Sequence, residues 1–268
     1  MKIWWQSAHD FKGDPGSKPY YDKLTSILNS CADPGNEVVV HGMRGSNPDH
    51  LEASRWGHML HGGEVPKLAM QAQEEGYDAY CLGCTTDMGL YEAKEAVDIL
   101  VCGLSEINLH IAMILGETFA YLAADEGGVQ RLRRLAAKYG LDNRMVPCSP
   151  LSMPFSERFA SFENPTNLIS KLEPIAKEAI KNGAGVLLLS DNVLNMALRT
   201  HGISEVGGLA VQEGSSVLVK TTEMLLSLEK LGVKQSRKAF PKISDKDMAW
   251  FKMASFADDT WKGDWKLK

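Results

Sequence analysis

The chain has 268 residues, 44% of them apolar, and a formal net charge of −5. That is enough apolar material for one large domain or two of ordinary size, and the acidic balance without a basic stripe excludes the footprint of a nucleic-acid binder. The longest apolar runs fall far short of the ~18 residues of a membrane helix.

The start, Met1-Lys2-Ile3-Trp4-Trp5, has no apolar core or small-residue cleavage site of a signal peptide. Residues 1–6 read as a first strand, followed by a Gly/Pro-rich loop over 13–19. Helical spacing over 20–30 puts Tyr21, Leu24, Ile27 and Leu28 on one face. The turn Asp33-Pro34-Gly35-Asn36 leads into a strand over 37–41 and a polar loop over 42–49. A helix over 66–75 and a strand over 78–82 follow, then a helix over 88–96 and a strand over 98–102. Helix 105–115, strand 118–123, helix 128–139 and strand 144–148 continue the alternation. After a loop over 149–165 come a long helix to Lys181, a strand over 185–189, a helix over 193–200 and a last helix over 215–231. The tail from Ser236 is polar but carries Phe240, Trp250, Phe251, Phe256, Trp261 and Trp265; such aromatics are expected to cover a neighbouring surface. Strands alternating with helices predict an α/β chain of parallel sheets.

The middle of the chain reads twice. Leu68-Ala69…Ala72…Gly76, the apolar run to Leu82 and then Cys84 are echoed by Ile175-Ala176…Ala179…Gly183, the run to Leu189 and then Asp191. One constant offset pairs Gly76 with Gly183, Cys84 with Asp191 and Glu106 with Glu213. A polar residue just past an apolar strand sits at the carboxyl end of a sheet, where α/β proteins hold ligands. Two such units facing each other put Cys84 and Asp191 on opposite walls of one cleft.

Gly83-Cys84-Thr85-Thr86-Asp87-Met88-Gly89 places a thiol in a strand-to-helix turn. A helix starting near Asp87 would lend its amides to the thiolate, and the Thr85 and Thr86 hydroxyls add donors for a substrate carboxylate. Cys81 and Cys102 lie inside apolar runs and read as structural. The five cysteines, with Cys31 and Cys148, are an odd number and suit reduced thiols in a cytoplasm. Asp191 alone reads as the N-cap of the following helix; the repeat sets it opposite Cys84. Glu106 and His110 are candidates to support the reacting groups from behind them. Among the histidines no pair has metal-ligand spacing, the lone C-x-x-C of Cys81 and Cys84 has no second pair, and phosphate-binding glycine motifs are absent. No metal site is expected.

Asp78-Ala79-Tyr80-Cys81-Leu82-Gly83-Cys84-Thr85-Thr86-Asp87-Met88-Gly89-Leu90, then Ala93-Lys94-Glu95 and Val101-Cys102-Gly103-Leu104-Ser105-Glu106, resembles the aspartate/glutamate/hydantoin racemase superfamily, and most of all its hydantoin racemase branch. The resemblance implies two pseudo-symmetric doubly wound α/β domains with the active site in the cleft between them. It divides the chain into residues 1–104 with 211–268, and 105–210. It implies no cofactor and a homo-oligomer, a dimer or larger. Most racemases of this family set a cysteine on each side of the substrate. Cys84 matches the first; where the second should follow the strand 186–189, this chain has Leu189-Ser190-Asp191. The first strand also departs, with Trp5-Gln6-Ser7-Ala8 in place of Asn-Pro-Asn-Thr.

The expectation is therefore a cytoplasmic, cofactor-independent isomerase of racemase or epimerase type. Its substrate would be small and hydantoin- or amino-acid-like, anionic or a cyclic amide, with neither nucleic acid nor membrane as a partner. Cys84 and Asp191 are the reacting pair, and Ser7, Thr85, Thr86 and Asn192 anchor the substrate. With one thiol and one carboxylate, two alternatives stay open within the superfamily. One is decarboxylation of malonate-type acids. The other is nucleophilic catalysis by Cys84, as a hydrolase or a cis–trans isomerase. A binding protein that kept the cleft without the chemistry is the reading outside enzymes.

Overall fold

The computed structural model describes residues 1–45 and 54–236. The polar loop at 42–49 lies partly, and the aromatic tail from Ser236 almost wholly, outside the described residues. The chain is an α/β protein whose described residues form two sheets. In the first, β1 (Lys2–Gln6), β2 (Glu37–His41), β3 (Ala79–Leu82) and β4 (Leu100–Gly103) lie in the order β2-β1-β3-β4, all parallel. In the second, β5 (Phe119–Leu122), β6 (Met145–Val146), β7 (Val186–Leu189), β8 (Glu205–Val206) and β9 (Leu209–Gln212) take the order β6-β5-β7-β9-β8. Only β8 against β9 is antiparallel. The first four strands of the second sheet repeat the order of the first, so the sequence repeat is a repeat of topology. Strand order reverses between β1 and β3, and again between β5 and β7, which opens a crevice at those strands' carboxyl ends.

Period-two alternation sorts the first sheet's side chains between two layers. Ile3, Trp5, Val40, Cys81 and Cys102 face α1 (Lys18–Cys31) and α9 (Gly214–Lys230). Trp4, Tyr80, Leu82 and Val101 face α2 (Arg55–Glu74) and α3 (Leu90–Ala96). In the second sheet Phe119, Tyr121, Val186 and Leu188 pack on α4 (Leu104–Gly116) and α5 (Glu126–Lys138). Ala120, Leu122, Leu187 and Leu189 meet α7 (Thr166–Lys181) and α8 (Asn192–Thr200). This last layer is continuous with the α1–α9 layer of the first sheet, so one core runs through both halves.

The repeated glycines have one job. Gly76 and Gly183 have φ of +75° and +89° and close α2 and α7 by the same pair of bonds. Gly76 N–H donates to Gln73 and Tyr77 N–H to Ala72; Gly183 N–H donates to Ile180 and Ala184 N–H to Ala179. A left-handed residue two bonds past a helix is the glycine-favouring stop, and it delivers each chain into its strand in the same direction.

Five elements differ from the sequence reading. Helix α2 begins at Arg55, capped by Ser54, whose side chain accepts from Gly57 N–H at 2.9 Å; Pro66 lies inside it. Gly57, Gly62, Gly63 and Pro66 all score against a helix interior, and packing overrides them. The loop at 149–165 contains a short helix, α6 (Phe155–Ala160). Strand β9, between Gly208 and the cap of α9, was not predicted, and the strand at 144–148 shortens to two residues. Helix α3 starts at Leu90, after Gly89 with φ +68°, so the segment 83–89 is an irregular turn and not a helix start near Asp87.

Candidate active site

The carboxyl ends of four strands meet at one cavity of about 270 Å³. Ser7, Ala8 and His9 follow β1, and Gly83 to Thr86 follow β3. Ala124 and Asp125 follow β5, and Ser190, Asp191 and Asn192 follow β7. The central strands of both sheets thus each deliver a loop to the same space. Ser7, Cys84, Thr85, Thr86, Asp191 and Asn192, singled out from the sequence, all line it. Glu106 and His110 do not. The Glu106 carboxylate turns to Lys94 Nζ, 2.6 Å from each oxygen. His110 is exposed, with Nδ1 2.6 Å from the Glu106 carbonyl.

Cys84 is buried among apolar neighbours on its inner side, and its Sγ lies 3.2 Å from Thr86 Oγ1. Gly83, just before it, must be glycine, because a Cβ there would overlap the Trp5 indole. The turn is fastened across to the second half: Asn192 Nδ2 donates to the Gly83 carbonyl at 2.8 Å. Ser105 Oγ–H donates to the Thr85 carbonyl at 2.6 Å and in turn accepts from Tyr121 OH at 2.6 Å.

Behind the turn lies Asp87, 1% exposed, with φ +47°. Gly103, at the N-terminus of α4, has no side chain to cap it. Asp87 does so from the neighbouring turn, accepting from Ser105 N–H at 3.2 Å and Glu106 N–H at 2.6 Å, and from Tyr139 OH at 2.7 Å. A Cβ on Gly103 would crowd the Asp87 carboxylate. Burial pushes the Asp87 carboxyl up to about 6, against the pull of the three hydrogen bonds. The Asp87–Tyr139 bond is a third tie between the halves.

Among the other thiols, burial raises Cys102 to about 11 and pushes Cys81 up as well. They remain neutral core residues, Cys81 beside the Thr222 hydroxyl at 3.2 Å.

On the second half's wall, Asp191 caps α8: Oδ1 accepts from Leu194 N–H at 3.0 Å. Oδ2 forms an ion pair with Arg158 of α6. Asp125 repeats this design. Its Oδ1 accepts from Gly128 N–H at 2.6 Å at the start of α5 and lies 3.7 Å from Arg131 Nη2. Arg131, Arg158, His9, Tyr20 and Asp125 line the cavity and escaped the sequence reading. Asp125, an acid straight after an apolar strand with Gly three residues on, carried the same signal as Asp191. Arg158 sat in what read as loop and carried none. Among the described residues no three His, Cys, Asp or Glu side chains gather as a metal-binding group, and no helix is long and apolar enough to cross a membrane.

The family described as Asp/Glu/Hydantoin racemase matches residues 15–190. A hydantoin racemase of Rhizobium meliloti is 25% identical over 201 residues, which cover 74% of this chain and 82% of that protein. Among solved structures, allantoin racemase from Klebsiella pneumoniae superposes with a TM-score of 0.71 at 22% identity, over 91% of this chain and 95% of that one. Allantoin racemase from Pseudomonas fluorescens does so with a TM-score of 0.69 at 18% identity, over 91% and 99%. These two structures share the fold.

Proposed function

The chain belongs to the Asp/Glu/Hydantoin racemase family and is a racemase-type isomerase; from that premise we propose that it inverts a carbon next to a carbonyl or carboxylate in a small hydantoin- or amino-acid-like substrate, using Cys84 and Asp191 as its acid/base pair. The observation that carries this reading is the placement of both side chains on one cavity, each just past the equivalent strand of its own half.

The chemistry needs only protons. Aspartate is by nature much the stronger acid of the two residue types, so the pair is read as a carboxylate base on one wall and a thiol acid on the other. Asp191 takes the α-proton from one face, and the Cys84 Sγ–H proton is delivered to the other. That turnover leaves a carboxylic acid and a thiolate, which is the set that runs the reverse inversion; exchange with solvent resets it. Brønsted matching favours a substrate whose α-proton is already activated. Thr86 holds the thiol in place. Ser7, Thr85 and Asn192 supply hydroxyl, amide and backbone donors for the substrate's carbonyl oxygens, where charge develops. No cofactor enters such a step. The exposed stripe Trp56, Met59 and Leu60 on α2 supports a homo-oligomer, because a helix apolar on its solvent side wants a partner. Sedimentation should show a smaller species for Trp56→Glu.

The reading is tested by polarimetry on enantiopure 5-substituted hydantoins and N-carbamoyl amino acids. Rotation should decay to zero at constant substrate mass. Rotation lost together with carbon dioxide, or with a new acid and amine, would replace this reaction by another.

A further inference from the structure

We propose that Arg158 is the receptor for a carboxylate on the substrate, and that seating the carboxylate there draws the guanidinium away from Asp191. This rests on the reading of Cys84 and Asp191 as the reacting pair and narrows its substrate class to small carboxylic acids substituted at the α-carbon.

Each oxygen of the Asp191 carboxylate has a partner. Oδ1 is tied to the first turn of α8 through Leu194 N–H, and breaking that bond would uncap the helix. Oδ2 is therefore the oxygen that must take a proton, and it is the one Arg158 holds. A general base needs an available lone pair within hydrogen-bond reach of the proton it removes. The Asp191 and Arg158 side chains are each only 14% exposed, so water alone is a poor replacement partner for the guanidinium. An incoming carboxylate is a good one, because the planar fork of arginine matches it and charge-assisted bonds are the strong ones. A neutral ring offers no such exchange and leaves the pair closed.

The cavity's charges agree with this orientation. Asp125, Arg131, Arg158 and Asp191 all come from the second half, whereas the wall beside Cys84 is made by Ser7, Thr85 and Thr86, with His9 at the side next to Asp14 at 3.2 Å. The charged end of a substrate belongs on the second-half wall, and its α-carbon then lies between that wall and the thiol. A guanidinium on the substrate carboxylate also offsets the negative charge that opposes α-proton loss, and it is worth more as the enediolate forms.

Iodoacetate and iodoacetamide test this as a pair. They carry the same electrophile and nearly the same shape, and differ in charge. Alkylation of Cys84 is followed for each by peptide mapping, in the folded protein and in the urea-unfolded chain as reference. The iodoacetate-to-iodoacetamide rate ratio should be about ten-fold higher in the folded wild type, the scale of one hydrogen bond to a charged group. Arg158→Gln should return the ratio to the reference, and Arg158→Lys should keep part of the preference. Equal ratios in folded and unfolded wild type, or an unchanged ratio in Arg158→Gln, would overturn the proposal while leaving Cys84 a reactive cavity thiol. Modification of Cys84 by neither reagent would instead overturn the underlying reading of the pair. If Arg158→Gln does not fold, the wild-type comparison and Arg158→Lys decide alone.

Discussion

Asp191 holds two roles that a pair of substitutions separates. Asparagine caps helices as well as aspartate does, and alanine does not. Asp191→Asn should therefore be more stable than Asp191→Ala by about 1 kcal/mol, measured by urea unfolding. Both should lose isomerisation by about 100-fold or more, the usual worth of a positioned acid or base. Asp87 makes a prediction of the opposite kind, on stability and not on rate. Its carboxyl rises from 3.8 in the unfolded chain to about 6 in the fold. Below pH 4 it is protonated in both states and costs nothing. Between pH 4 and 6 the unfolded chain releases the proton while the folded one keeps it, so stability falls as pH rises. Above 6 the loss is complete, at about 3 kcal/mol. The stability of wild type relative to Asp87→Asn should fall by that amount across the window; a flat difference would show that Asp87 is not buried as an acid. Cys84 was legible because a thiol followed an apolar strand, and Asp191 because the repeat set it in register. Arg158 was not, because its partner is brought to it by folding and nothing in its neighbours' spacing announces that.

At the scale of elements, the legible parts were those with loud punctuation. The repeated strands are runs of apolar residues bounded by Gly76 and Gly183, and the α1 and α7 helices carry a clear apolar face. The first half of α2 was silent, since its glycines and Pro66 argue for loop. Packing against it is tight at Gly89, in left-handed conformation, where a side chain would strike the Gly62 carbonyl, the oxygen that Pro66 leaves without an N–H donor. Strand β9 has four residues and α6 has six, too short for periodicity to show. The cap on α4 is an element-scale device of the same hidden sort. Gly103→Ala would push the Asp87 carboxylate off the α4 amides and should cost about 1–3 kcal/mol, the range for overpacking a filled core. Chemical denaturation would read it, and a neutral result would mean that Asp87 reaches the helix by another path.

For the whole molecule, the site depends on how the two halves are held. Asn192 to Gly83, Ser105 to the Thr85 carbonyl and Tyr139 to Asp87 cross between them directly behind the cavity. The Tyr139 bond favours the ionised Asp87. Tyr139→Phe should thus push that carboxyl above 6 and extend the pH-dependent loss of stability to higher pH, seen in melting temperatures from pH 4 to 8. Isomerisation by Tyr139→Phe should persist, because Tyr139 does not line the cavity. The central claim is that one thiol and one carboxylate from the two halves pass protons across a single carbon. Its most direct test is deuterium uptake at the stereocentre of enantiopure N-carbamoyl amino acids and 5-substituted hydantoins in D₂O, by proton NMR, for wild type, Cys84→Ala and Asp191→Asn. The account predicts that wild type exchanges the α-proton, and that each variant loses catalysed inversion of label and configuration together. Inversion at the wild-type rate in Cys84→Ala would contradict it.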